Sequence, residues 1–209
     1  MYDAYLFDLD GTLIDTESIA LRTNTEVFAA LGHPVDEAFL HGLIGKDGPT
    51  VAGIIRSQMP TIDIELLDRE LRAAFDRGVE AHLPIKPGAV EILGLLPGPA
   101  ALVTSTGRKG AWHKLRLAGI ADAFAEVVTR DDVTHPKPAP EPYLLAAARL
   151  GVDPARCLVF EDSEIGAEAA HRAGCRVVQI PDILPTQGRF AHHVAASLFE
   201  GARAAGLSL

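Results

Sequence analysis

The fold turns on Ala4-Tyr5-Leu6-Phe7-Asp8-Leu9-Asp10-Gly11-Thr12. A bulky apolar run, Ala4 to Phe7, gives way at once to a loop carrying two acids two residues apart. A strand buried on both faces of a parallel sheet empties into a loop in this way. Three later stretches repeat the pattern: Ala100 to Thr104 runs into Ser105-Thr106-Gly107, Arg156 to Phe160 into Glu161-Asp162-Ser163, and Arg176 to Ile180 into Pro181-Asp182. Helical patterns lie between them over Lys109 to Leu117, Glu141 to Leu150 and Glu164 to Ala173, the last stopped by Gly174. Strand and helix in alternation predict an α/β fold, a doubly wound parallel sheet with its ligand crevice beyond the carboxyl ends of the strands.

Residues 16–84 break this rhythm. Ser18 to Leu31, Thr50 to Gln58 and Ile64 to Ala81 read as helix after helix, and Pro84 and Pro87-Gly88 punctuate the end of the stretch before the amphipathic Ala89 to Leu96. The expected organisation is therefore an α/β core from 1–15 and 85–209 with a small all-helical insert over 16–84.

The 209 residues, 48% hydrophobic and 22% charged, suit a globular chain with a sizeable core and argue against disorder. A net charge of −9 opposes broad attraction to nucleic acid or an anionic membrane, and no apolar run approaches the roughly 18 residues that span a bilayer. A cytoplasmic protein, monomeric or a small homo-oligomer, is expected. Cys157 and Cys175 sit in apolar segments and read as small buried thiols. His192-His193 reads as a solvated pair on one helix, pointing to different faces. Trp112, Leu115 and Gly119 read as the buried stripe of a core helix.

Chemistry concentrates at the strand ends. Asp8 and Asp10 would repel each other at a strand mouth unless a cation or proton were shared. An Asp carboxylate can attack phosphorus to form an aspartyl-phosphate, the role suggested for Asp8, while Asp10 can act first as acid and then as base. Glu161-Asp162 follows another strand, and hard oxygens from two loops are what Mg²⁺ requires. The Thr104 hydroxyl, the backbone N–H groups after it from Ser105, and Lys137 between two prolines are candidates to neutralise phosphate oxygens. Lys46, in Leu43-Ile44-Gly45-Lys46-Asp47-Gly48, could reach a second anionic group of a substrate. Singly these pieces read as turns, helix caps and solvated side chains; their placement at successive strand ends points to a site.

The set resembles the haloacid dehalogenase-like superfamily, nearest its β-phosphoglucomutase-like and phosphoglycolate phosphatase-like members. Its four motifs match Phe7-Asp8-Leu9-Asp10-Gly11-Thr12-Leu13, Leu102-Val103-Thr104-Ser105-Thr106, Lys137-Pro138-Ala139-Pro140 and Glu161-Asp162-Ser163-Glu164-Ile165-Gly166. The resemblance implies a Rossmann-like core with a helical cap domain inserted after the first motif, and an Mg²⁺-dependent phosphatase acting on a small phosphorylated metabolite. It also implies that Asp8 is the nucleophile and Asp10 the acid and base. Thr104 and Lys137 would hold phosphate, and Mg²⁺ would bind Asp8, the Asp10 carbonyl, Asp162 and Glu161.

Asp10 speaks against dehalogenation, which needs no acid for a halide. A β-phosphoglucomutase-like mutase is the alternative, weakened by Ala20 in place of a histidine and by Ile44 and Gly48 in place of basic residues. A phosphonate hydrolase would need a lysine of depressed pKa, for which Lys46 beside Asp47 is poorly placed. A phosphoacceptor receiver domain would be shorter, with its acidic pair ahead of the acceptor and no helical insert.

Overall fold

In the computed structural model, which describes residues 2–44 and 46–208, six strands form one parallel sheet: β1 (Ala4–Phe7), β2 (Ala100–Val103), β3 (Glu126–Val128), β4 (Cys157–Glu161), β5 (Arg176–Gln179) and β6 (His193–Val194). Their order is β3-β2-β1-β4-β5-β6. The chain thus builds outward from β1 on one side, then returns to its other side and builds outward again. The order reverses at β1, where Phe7 stands beside Leu102 and Phe160. A sheet of this kind opens its crevice at that reversal, beyond the carboxyl ends.

The helices are α1 (Thr16–Ala30), α2 (Glu37–His41), α3 (Gly48–Gln58), α4 (Ile64–Ala81), α5 (Ala89–Leu95), α6 (Arg108–Leu117), α7 (Glu141–Leu150), α8 (Glu164–Arg172) and α9 (Leu198–Ala204). Local chemistry sets their ends. Asp63 accepts from the Glu65 and Leu66 amides to start α4, Ser163 accepts from Gly166 N to start α8, and Gly151 in the left-handed region closes α7.

The chain divides into two compact units, Met1–Asp15 with Pro84–Leu209, and Thr16–Leu83. In the first, every residue of β1, β2 and β4 is buried, and the Phe7 and Phe160 rings stack at 4.8 Å between centroids. One of its apolar clusters joins Leu6, Val103 and Val159 to Tyr143 and Ala146 of α7 and Ala167 and Ala170 of α8. Pro84 belongs to this unit, since its carbonyl accepts from Asp15 N. The second unit closes its own core over Val27, Phe28, Leu40, Ile55 and Leu67.

Two readings of the sequence need correction. His193 lies in β6 rather than on a helix: His192 N donates to Val177 O, and Val177 N donates to His192 Nδ1, so an edge strand forms where a helix was expected. On α6 the buried residues are Ala111, Lys114 and Leu115, and Trp112 is 36% exposed. The inward stripe is turned by one residue, and Lys114 on it finds a partner inside the first unit. Cys157 and Cys175 are free and buried. No helix among the described residues is long and apolar enough to cross a membrane.

Candidate active site

β1 delivers Asp8 to the sheet edge with its backbone already held, since Asp8 N donates to Phe160 O at 3.0 Å and so extends the ladder by one residue. The loop then doubles back tightly: Leu13 N donates to Leu9 O, and Gly11 N to Ile14 O. Gly11 has φ +87°, and a Cβ there would lie 2.5 Å from Asp162 Oδ2. Both the turn and the approach of the β4 loop therefore require glycine.

Lys137 fills the space between the strand ends. Its side chain is 5% exposed, and its ammonium donates to Asp8 Oδ1 at 2.7 Å, Glu161 Oε1 at 2.5 Å and the Val103 carbonyl at 2.9 Å. One cation thus ties together the ends of β1, β2 and β4. Glu161 is fixed in turn: the Tyr143 hydroxyl donates to Oε1 at 2.6 Å, and the Ser163 hydroxyl donates to Oε2 at 3.1 Å. The Tyr143 ring also lies 5.1 Å from the Lys137 nitrogen, within cation–π range. The Glu161 carboxylate rests on Gly166, where any Cβ would come within 1.8 Å of Oε1.

Oxygens of Asp8, Glu161 and Asp162 lie within 4.8 Å of one another. Burial raises the Asp8 pKa to about 7, reinforced by Glu161 and Asp10 and opposed by Lys137. Burial likewise raises Asp162 to about 9, with Glu161 and Asp8 adding and Lys137 opposing. For Lys137, burial alone would lower the pKa, but Asp8 and Glu161 outweigh it and the group stays charged. Tyr143 is pushed well above its usual value by burial and by Glu161, so it remains a donor. Three carboxylates crowd against this one buried ammonium, an excess of negative charge that a hard divalent cation on oxygen ligands would relieve.

Asp10 points elsewhere. Lys114 donates to its Oδ1 at 2.6 Å, and the Thr106 hydroxyl donates to its Oδ2 at 2.7 Å. Thr104 is buried at the end of β2, its hydroxyl oxygen accepting from Thr106 N at 3.1 Å, while Ser105 is exposed on the loop beyond. Lys46 is exposed on the helical unit, next to the Asp47 that caps α3, and Gly45 lies outside the described residues.

The structure therefore brings Asp8, Lys137, Glu161 and Asp162 into one cluster and sets Asp10 beside Lys114 and Thr106. Sequence reasoning missed Lys114, Tyr143, the Ser163 hydroxyl and the Thr106 hydroxyl. Tyr143 had a signal, because a tyrosine six residues after a proline-flanked lysine lands one turn into α7 above it. Lys114 had only its spacing from Ala111 and Leu115, a face where a lysine is out of place.

Residues 5–180 match the family described as haloacid dehalogenase-like hydrolase. Fructose-1-phosphate phosphatase YqaB of Escherichia coli strain K12 is 34% identical over 190 residues, 86% of this chain and 98% of that protein. The phosphorylated carbohydrates phosphatase of Thermotoga maritima is 32% identical over 176 residues, 82% of each chain. A crystal structure of a Rhodobacter sphaeroides CbbY variant in complex with xylulose-(1,5)bisphosphate has a TM-score of 0.73 at 27% identity, covering 94% of this chain and 95% of that one. With the Asp8–Gly11 loop, the buried lysine and the acidic cluster at the ends of adjoining strands, and with these relatives beside it, the chain belongs to the haloacid dehalogenase-like hydrolases, as a phosphoric monoester hydrolase.

Proposed function

We propose that this enzyme hydrolyses small phosphate monoesters, of the sugar phosphate or phosphoglycolate kind, through an aspartyl-phosphate on Asp8 and with Mg²⁺ bound. The observation that carries the reading is the arrangement about Asp8. One of its carboxylate oxygens is held by Lys137 at 2.7 Å, and Glu161 and Asp162 lie close by. The names of the relatives, which refer to fructose 1-phosphate, phosphorylated carbohydrates and a xylulose bisphosphate, favour a phosphorylated carbohydrate over other monoesters.

The donor set fits Mg²⁺, since it offers only hard oxygens and its three carboxylates outnumber the one ammonium beside them. Asp8, Asp162 and the Asp10 carbonyl would hold the ion. Glu161, with Oε1 taken by Lys137 and Tyr143 and Oε2 by Ser163, would support from behind. When bound, Mg²⁺ neutralises charge on a phosphate oxygen and on the nucleophile.

The residues divide the work as follows. Lys137 fixes one oxygen of Asp8 and leaves the other to attack phosphorus. As the Asp8–phosphorus bond forms, the ester oxygen leaves with its bonding electrons and takes a proton from Asp10. Water then attacks the aspartyl-phosphate and gives a proton back to Asp10, the bond to Asp8 breaks, and inorganic phosphate departs. Lys137 and the N–H groups after Thr104 stabilise charge on the non-bridging oxygens.

The test is release of inorganic phosphate from a panel of sugar phosphates, phosphoglycolate and nucleotides, with and without Mg²⁺, in wild type, Asp8→Asn and Asp10→Asn. Release that needs Mg²⁺ and is lost in both variants is the expected result. Interconversion of sugar phosphate isomers without phosphate release would replace the proposal with the mutase.

A further inference from the structure

We infer that Lys114 is a positioning residue that, with Thr106, holds Asp10 as the base for the hydrolytic half of the reaction. The inference rests on the role of Asp10 proposed above.

A helix packed on a sheet uses its inward face for apolar side chains, and a lysine placed there loses hydration at a cost that an ionic partner must offset. On α6 that face holds Ala111, Lys114 and Leu115. Lys114, buried on that face, reaches Asp10 Oδ1 at 2.6 Å, and its nitrogen lies 3.5 Å from the Thr106 hydroxyl that serves Oδ2. The lysine is therefore committed to the side chain two residues after the nucleophile.

Donors on both oxygens fix rotation about the Cβ–Cγ bond as well as the position of the carboxylate, so Asp10 is presented in one plane. Where the leaving group needs no protonation, only the second half-reaction, in which Asp10 deprotonates the water that attacks the aspartyl-phosphate, depends on that placement. The first half-reaction, with a leaving group that needs no protonation, should proceed without it.

This separation is measurable with p-nitrophenyl phosphate, whose aryl oxide leaves unaided. For Lys114→Met the expected result is a fall in kcat of about 10- to 100-fold, below the full contribution of a general base. KM should fall in proportion, so that kcat/KM, which reports phosphorylation of Asp8, stays within about twofold. A pre-steady-state burst of p-nitrophenol approaching one per site should appear. Lys114→Arg should restore part of kcat, and Thr106→Val, which removes the other donor, should give the same burst with a smaller fall. Equal losses in kcat and kcat/KM, an unchanged kcat, or a fall without a burst in the folded variants would overturn the inference. Those outcomes differ from failure of the underlying reading, which would show as no p-nitrophenol release by the wild type or full activity in Asp8→Asn.

Discussion

Two lysines pair with the two aspartates of a single loop, and burial makes the pairs unlike. Lys137 and its partners Asp8 and Glu161 are 5%, 10% and 0% exposed in their side chains, so none of these charges reaches much water. Lys114 is nearly as enclosed at 11%, but Asp10 is 26% exposed. Removing Lys137 would strand two carboxylates in a low-dielectric interior, whereas removing Lys114 would leave a carboxylate that water can reach. The same chemical contact is therefore sealed from water in one place and open to it in the other.

The sharpest way to break that comparison is to delete each lysine and follow stability and turnover together. Lys137→Met should cost about 3–5 kcal/mol in chemical denaturation, as for a buried pair that loses one partner. It should also abolish turnover. Lys114→Met should lose less than about 1 kcal/mol, the range of a partly exposed pair. Similar losses for the two would show that exposure of the partner does not govern the difference.

The acidic cluster gives the next effect, in the dependence of stability on pH. Asp8 and Asp162 have pKa values raised from 3.8 to about 7 and about 9, so the folded state holds their protons more tightly than the unfolded chain. Their contribution is fully present below the unfolded value and is lost as pH climbs through the folded values. Groups held below their usual range, such as Glu141 through the Thr134 and His135 amides, act in the opposite sense at low pH. The difference in melting temperature between Mg²⁺-loaded and metal-free protein isolates the cluster, and it should widen from about pH 6 to about pH 9. A constant difference, or one that narrows, would mean that Mg²⁺ does not compete with protons there. Asp8→Asn should flatten the trend.

Gly166→Ala comes third. Its Cβ would collide with the Glu161 carboxylate, so a cost of about 1–3 kcal/mol is expected, and the displaced Glu161 should loosen Lys137 and reduce kcat. The smallest expected effect belongs to Tyr143→Phe, which removes one donor to Glu161 while Lys137 and Ser163 remain. About 1 kcal/mol is expected from denaturant midpoints. A loss as large as that of Lys137→Met would make Tyr143 the keystone instead.

Much of this molecule can be read from its sequence, and the exceptions share physical causes. Ala4–Phe7, Ile64–Ala81 and Glu141–Leu150 are legible to the residue because apolar runs, an Asp63 cap and a Gly151 stop mark their ends. β3 and β6 are not, having three and two residues and no apolar run that periodicity can register. Within the site the same contrast holds. Asp8, Lys137, Glu161 and Asp162 stand at strand ends or between prolines, where polarity interrupts an apolar pattern. Lys114 lies inside a helix whose other residues include Lys109, His113 and Arg116, and only its spacing from Ala111 and Leu115 hints that it is the inward cation. Its partner shows only in the third dimension, which places Asp10 beneath that face.

The order of the sheet has a consequence for how the chain reaches its folded state. β1 precedes the other five strands of the sheet in sequence, yet its neighbours begin at Ala100 and Cys157, so closing the centre of the sheet joins segments about 100 and 150 residues apart. Contacts of such separation form late and slowly, because the entropy of the intervening loops must be lost first. Asp8 and Asp162 meet only through that pairing. A half-folded chain therefore carries Asp8 without its acidic partners, and the cluster of Asp8, Glu161 and Asp162 arrives together with the native topology.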